Sequence, residues 1–479
     1  MNIREAAAQL AQTVRAYAAK TPEGAYRVPL AAQRPVYLIG PPGVGKTAAV
    51  AQTARALGIG FAAYTMTHHT RQSALGLPLI VHRTLNGEDR AVTEYTVSEI
   101  VADVWAKAES GAETGILFLD EINCVSESLM PAMLQLLQYK TFGVHALPRG
   151  WMIVCAGNPP RYNRYAHTFD AVVMDRLRVI EVEPDFAAWQ GYMAGHGAHP
   201  LVRSYLTLRS EDFYVSDGDR MVTARSWTDL SDMMLALETE GIAPEEALFG
   251  QYLQVEAVAR RFGMYARLCA DVGARLDEAV ESGALPKALP FDEGVFAALF
   301  LAERLARMAG EAAQTSRRAE KLTQFVEGVA REAAGDSSVE AVCKAHLQRR
   351  KNALEARVRA GIADEDQRLK EEAFLAELEA LTAGAHGEAD GEALERLRQR
   401  ASSAQDGAET ANAGLEAAFS RYLNFSERAF DDPNVRLIFL NALRDDETVW
   451  RFIRTRLRLR FDALWAGCDP ETRKNGELI

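Results

Sequence analysis

The feature that most constrains this chain is a strand-length apolar run, Val36-Tyr37-Leu38-Ile39, that leads directly into Gly40-Pro41-Pro42-Gly43-Val44-Gly45-Lys46-Thr47. The segment fits GxxxxGK[ST], and a helix is expected to follow over Thr47–Leu57, which is the strand–loop–helix setting the motif needs. Glycines let backbone N–H groups close around phosphate oxygens, and the helix N-terminus adds partial positive charge there. Lys46 is expected on the β- and γ-phosphates and Thr47 on Mg²⁺. The competing reading is a Gly/Pro turn that happens to end in Lys-Thr. Phosphate contact is expected from Gly40, Pro41, Pro42, Gly43, Val44, Gly45, Lys46 and Thr47.

A second apolar run, Ile116-Leu117-Phe118-Leu119, ends in Asp120-Glu121, 74 residues after Lys46. Read alone, Asp-Glu after an apolar run also marks the acidic first turn of a helix. Behind a phosphate loop, it places carboxylates at the carboxyl end of a strand, where open parallel sheets bind ligands. Asp120 is expected to join Thr47 around Mg²⁺, and Glu121 to act as general base on the attacking water. A third run, Trp151–Ala156, leads to Gly157-Asn158 and then to Pro159-Pro160, a turn signal. If this strand lies between the first two, Asn158 faces the γ-phosphate and helps to orient the water.

With Phe61–Met66 and Val179–Val182, five strand-length runs alternate with helical patterns over residues 1–183. That alternation predicts a parallel α/β sheet with helices on both faces. Residues 184–275 read as mostly helical, with one helix starting near Thr223 and carrying Trp227, Leu230, Met234 and Leu237. From 276 to 479 the pattern is almost wholly helical. Ser337 and Glu340 form a capping box there, Leu347, Leu354, Val358 and Ile362 share a face, and so do Phe374, Leu378 and Leu381. Glycine-bearing breaks are expected at 384–391 and 402–407. The Ala/Glu/Arg-rich stretch 316–400 predicts a long antiparallel helical hairpin, followed by a terminal helical module.

The 479 residues carry a net charge of −12, which argues against general affinity for nucleic acid or anionic membrane. No apolar run reaches bilayer length, because Glu303, Arg304 and Arg307 interrupt the stretch at 291–310. The N-terminal twenty residues read as a helix, not a secretion signal. Five scattered cysteines without a CxxC pair point to reduced thiols and a cytoplasmic protein. The adjacent His68 and His69 would face opposite ways on a strand and read as loop residues, not metal ligands.

Taken together, GPPGVGKT, ILFLDEIN, VCAGNP, Asp175-Arg176-Leu177 and Thr223-Ala224-Arg225 resemble an AAA+ ATPase, and within that superfamily the MoxR-like branch. The resemblance covers about residues 1–275. It implies a P-loop NTPase core of AAA+ type over 1–183, an all-α lid over 184–275 and an all-α region beyond. It implies that Asn158 is sensor 1, Arg176 the arginine finger completing a neighbouring subunit's site, and Arg225 the sensor 2 arginine. Arg161 and Arg164 compete with Arg176 for the finger role, and Leu177 stands where the family usually has Phe. Leu77–Tyr95, with Asn86-Gly87 between two strand-like runs, is a hairpin signal. It resembles the insertion that MoxR-like proteins place in the second helix, facing the pore; an ordinary solvent hairpin is the alternative.

The resemblance implies ATP and Mg²⁺, a homo-oligomeric ring, usually a hexamer, and a client or adaptor, often with a von Willebrand factor A domain. The function expected is ATP-driven remodelling or activation of a partner protein. The alternatives are a DNA-linked motor or loader and a slowly turning nucleotide-gated scaffold. Arg451, Arg454, Arg456, Arg458 and Arg460 are the basis for the DNA reading. Ile453, Leu457, Phe461 and Leu464 between them read instead as the apolar face of a docking helix.

Overall fold

The computed structural model describes residues 1–69, 74, 76–194, 196–270, 272–282, 289–333, 338–383 and 390–468. It divides into two compact units: Met1–Asp185 with Leu347–Glu377, and Phe186–His346 with Leu378–Ile479.

The first unit is built on five parallel strands: β1 (Val36–Ile39), β2 (Gly60–Thr65), β5 (Gly115–Asp120), β8 (Trp151–Gly157) and β9 (Arg178–Glu181), in the order β2-β5-β8-β1-β9. All five coincide with the apolar runs. Every residue of β8 is buried, as are Gly115–Leu119 of β5, as expected of a sheet covered on both faces. Helices α1 (Ile3–Ala18), α2 (Lys46–Leu57), α3 (Glu99–Glu109) and α4 (Met130–Tyr139) belong to the same unit, as does the short ribbon of β6 (Thr141–Phe142) and β7 (His145–Ala146). Helix α1 starts at a capping box in which Asn2 and Glu5 satisfy each other's backbone N–H groups. The expected hairpin forms as β3 (Pro78–Leu85) and β4 (Glu88–Tyr95), paired from Pro78↔Tyr95 to Leu85↔Glu88. Its turn residues Asn86 and Gly87 have φ of 54° and 83°, the left-handed geometry a two-residue turn requires.

A second helical segment docks on this unit from far along the chain. Between the helices Val339–Arg359 and Glu365–Ala383 the connection packs beside the edge strand β2. Ala360 is buried and joins the sheet's core, with Ile362 packed against it. Asp364 pairs with Arg55 at the end of α2 at 2.7 Å. Covering an edge in this way blocks unwanted strand pairing. Gly361 has φ of +67°, and a Cβ there would lie 2.8 Å from the carbonyl oxygen of Phe61 and 2.9 Å from Cε of Lys107. Gly361→Ala is therefore expected to destabilise the protein by about 1–3 kcal/mol in denaturant unfolding. Asp364→Ala, which removes only a half-exposed ion pair, is expected to cost less than about 1 kcal/mol.

Among the described residues, the second unit is helical apart from a small hairpin, β10 (Val215–Asp217) and β11 (Arg220–Val222), which was not expected. The helix Ala224–Thr239 starts at Thr223 as expected, with Trp227, Leu230 and Met234 buried and Leu237 half-buried. Two long helices, Phe291–Glu332 and Asp390–Ala429, run antiparallel, since Asn412 bonds Ser316 at 3.1 Å and Gln405 bonds Thr323 at 3.0 Å. The expected break at 402–407 does not occur. Buried Leu397, Ala401, Ala408 and Leu415 carry one apolar face straight through it. Packing along that face outweighs the roughly 1 kcal/mol that Gly407 costs in a helix. The stretch 316–400 thus draws on four helices rather than two. Ser337 of the expected capping box, and residues 384–389 of the other expected break, lie outside the described residues.

Near the C-terminus, Ile453, Leu457, Phe461 and Leu464 are buried as the docking-helix reading requires. Among the described residues, no helix is long and apolar enough to cross a membrane.

Candidate active site

The phosphate loop leaves β1 and enters α2, and its backbone is shaped by its glycines. Gly43 and Gly45 have φ of 71° and 90°, conformations open to glycine without strain. Gly45 is the N-cap of α2, so the first N–H groups of that helix open into the loop. Lys46, at the start of α2, is only 8% exposed. Its ammonium donates to the carbonyl oxygens of Gly40 and Pro41, both at 2.8 Å, and to Oδ1 of Asn158 at 2.9 Å.

Strand order explains why distant residues meet. Because β8 lies between β1 and β5, the carboxyl ends of three adjacent parallel strands carry Lys46, Asn158 and Asp120-Glu121. This is the edge where such sheets bind ligands. Thr47 Oγ1 donates to Asp120 Oδ2 at 2.7 Å. A hydroxyl and a carboxylate oxygen in contact are hard donors of the kind Mg²⁺ takes, with its remaining positions left to water and phosphate oxygens. The donor set therefore fits that ion.

Glu121 has φ of 54° and ψ of 36°, a left-handed conformation costing a non-glycine residue on the order of 1–3 kcal/mol. This sharp turn directly after β5 separates the two acids. The Glu121 N–H donates to Asp120 Oδ1 at 2.9 Å, and Glu121 Oε2 accepts from Thr67 Oγ1 at 3.1 Å. Neighbouring Cys124 registers the local negative field: burial, then Glu121 and Asp120, push its thiol pKa up.

Arg176 caps the helix Ala171–Asp175 and donates to its Val172 carbonyl at 2.8 Å. It precedes β9, whose Arg178 pairs with Val36 at the start of β1. Arg176 therefore sits at the amino edge of the parallel sheet, a full strand length from its own phosphate loop. Arg161 stacks on Tyr162 at 4.8 Å. Arg161 and Arg164 follow β8 and so leave from the carboxyl edge. Arg225 is exposed on the first turn of its helix in the second unit. Two polar groups at the cluster were not anticipated: Thr67, which holds Glu121, and Asn123, which bonds the Asn158 carbonyl at 2.8 Å.

Residues 35–177 match the family model described as AAA domain (dynein-related subfamily). This segment is an AAA domain. The match spans all three strand ends that form the cluster, and an AAA domain implies ATP-dependent ATPase activity. AAA ATPases bind ATP and typically use Mg²⁺, in agreement with the Thr47–Asp120 oxygen pair. No curated protein matches the chain.

Proposed function

We propose that this chain is a ring-forming, Mg²⁺-dependent AAA+ ATPase of the MoxR-like type that remodels or activates a partner protein. The observation that carries the proposal is the convergence of Lys46, Thr47, Asp120, Glu121 and Asn158 on one sheet edge inside an AAA domain.

In this reading Lys46 and the amides of Gly40–Thr47 hold the β- and γ-phosphates, while Thr47 and Asp120 ligate Mg²⁺. Bound Mg²⁺ neutralises charge on the phosphate oxygens. Glu121 accepts the proton of the attacking water, and Asn158 orients that water. Arg176 sits a strand length from its own phosphate loop, so in this reading the γ-phosphate it contacts is a neighbouring subunit's, and that requires a homo-oligomer. A hexamer is the ring size the resemblance implies. Arg225 acts as the lid's phosphate sensor.

Two observations favour a protein client over a polyanion. The β3–β4 hairpin exposes Leu79, Ile80, Leu85 and Tyr95, with Ile80 72% exposed, an apolar display suited to polypeptide contact. The C-terminal arginines, the basis of the DNA reading, are engaged locally. Arg451 meets Glu447 at 2.8 Å, Arg456 meets Glu416 at 3.9 Å and Arg458 meets Asp462 at 3.6 Å. Arg454 lies over Trp450, and Arg460 bonds Asn424. The resemblance points to a client or adaptor with a von Willebrand factor A domain, and the thiols and charge to the cytoplasm.

A mixing experiment tests the ring. Arg176→Ala and Glu121→Gln are each expected to be inactive alone. Mixed subunits are expected to regain part of the ATPase activity, because an intact Glu121 in one then meets an intact Arg176 in the other. Full activity of Arg176→Ala alone, or no recovery in mixed assemblies of normal size, rejects the finger assignment. DNA stimulation with a steep salt dependence would favour the motor reading instead.

A further inference from the structure

Asn158 stands where the sheet can no longer hold it. Strand β8 ends at Gly157, and the two residues after Asn158, Pro159 and Pro160, have no N–H to donate. A side chain that must orient a water at this point needs its backbone fixed by something other than the ladder.

Asn123 supplies that bond. It lies two residues past Glu121, in the short 3₁₀ turn Ile122–Cys124, and is 1% exposed. Its Nδ2 donates to the Asn158 carbonyl at 2.8 Å and to the His167 carbonyl at 3.3 Å. Its own carbonyl accepts from the His167 N–H at 2.8 Å. With two carbonyls on one side of the amide, the nitrogen must face them. The amide oxygen is then turned toward Gly157, where a Cβ would overlap it, and it has no hydrogen-bond partner. The two N–H groups of Asn123 close both ends of the loop 158–167.

We infer that Asn123 is a positioning residue for the ATPase: it fixes the Asn158 peptide from one side while Lys46 holds the Asn158 side chain from the other. It thereby ties the catalytic acid's turn to the water-orienting group. The inference rests on the reading of Asn158 given above, and it assigns to a buried amide the geometry on which that reading depends.

Steady-state ATP hydrolysis by the full chain tests it in a double-mutant cycle. Asn123→Ala is expected to lower kcat about tenfold, with KM for ATP and ADP affinity within about twofold. In an Asn158→Ala background the same change is expected to cost less than about twofold more, because the group it positions is gone. Asn123→Leu keeps the side-chain volume while removing both N–H donors, so it avoids the cavity of the alanine variant and is expected to reproduce the kcat loss. A residue that merely stabilises the fold would lower Tm and reduce activity by the same factor in both backgrounds. That result, a loss confined to KM, or unchanged kcat in either variant overturns the inference. Wild-type protein without ATP turnover would instead overturn the ATPase reading, and the inference with it.

Discussion

Lys46→Ala is expected to lose ATP binding by about two to four orders of magnitude. Two charge-assisted hydrogen bonds to phosphate oxygens, at roughly 1.5–3 kcal/mol each, correspond to that range of affinity. The side chain is buried at the mouth of the sheet, and its three N–H donors are taken by oxygens within 2.9 Å, so it meets phosphate oxygens by exchanging these bonds for stronger, charge-assisted ones. The same contacts mean that the lysine also braces its own loop. Removing it leaves the carbonyls of Gly40 and Pro41 without their donor, and stability is expected to fall as well. Thermal unfolding of the variant therefore accompanies calorimetric titration with ATP and Mg²⁺. A folded variant that binds ATP as the wild type does removes the phosphate assignment and leaves the Lys46–Asn158 bond as a purely structural link.

The parts of the molecule that were legible in the sequence are those whose signal is local. The strands read as apolar runs, most plainly β5 and β8, where both faces of the sheet are covered. The phosphate loop read directly because its glycines, lysine and threonine are contiguous. That Asn158 falls between Lys46 and Asp120 followed only conditionally, since strand order is a tertiary fact, and β8 between β1 and β5 satisfies the condition. Other features were obscured by competing physics. The serine- and glycine-bearing segment 402–407 carries the composition of a break, yet the helix continues because its buried face meets a partner helix. The β10–β11 hairpin did carry a signal in its two-residue turn Gly218-Asp219, which the surrounding helical pattern masked. The docking of Ala360–Asp364 beside β2 had no local signature. An apolar helix face announces that it will be buried, not against which surface. Asn123 is hidden for a similar reason, because a single amide after the acid pair gains its meaning from a carbonyl 35 residues away.

Glu121→Gln separates chemistry from binding. The substitution keeps the size of the side chain and an oxygen able to accept from Thr67, so the turn after β5 and its hydrogen bond at 3.1 Å are expected to survive. Asp120 still faces Thr47, so the Mg²⁺ oxygens are untouched. What is lost is basicity at the one carboxylate that the left-handed turn separates from Asp120. A positioned general base contributes about 10²–10⁴ in rate, and kcat is expected to fall by that factor. ATP affinity is expected to be retained or tightened, because one negative charge beside the polyphosphate disappears. Single-turnover hydrolysis after ATP loading measures the chemical step alone and sets this variant apart from Lys46→Ala, which fails at loading. Turnover within about threefold of wild type would show that another group takes the proton. The strained backbone at Glu121 would then serve only to space Asp120 from the chain that follows it.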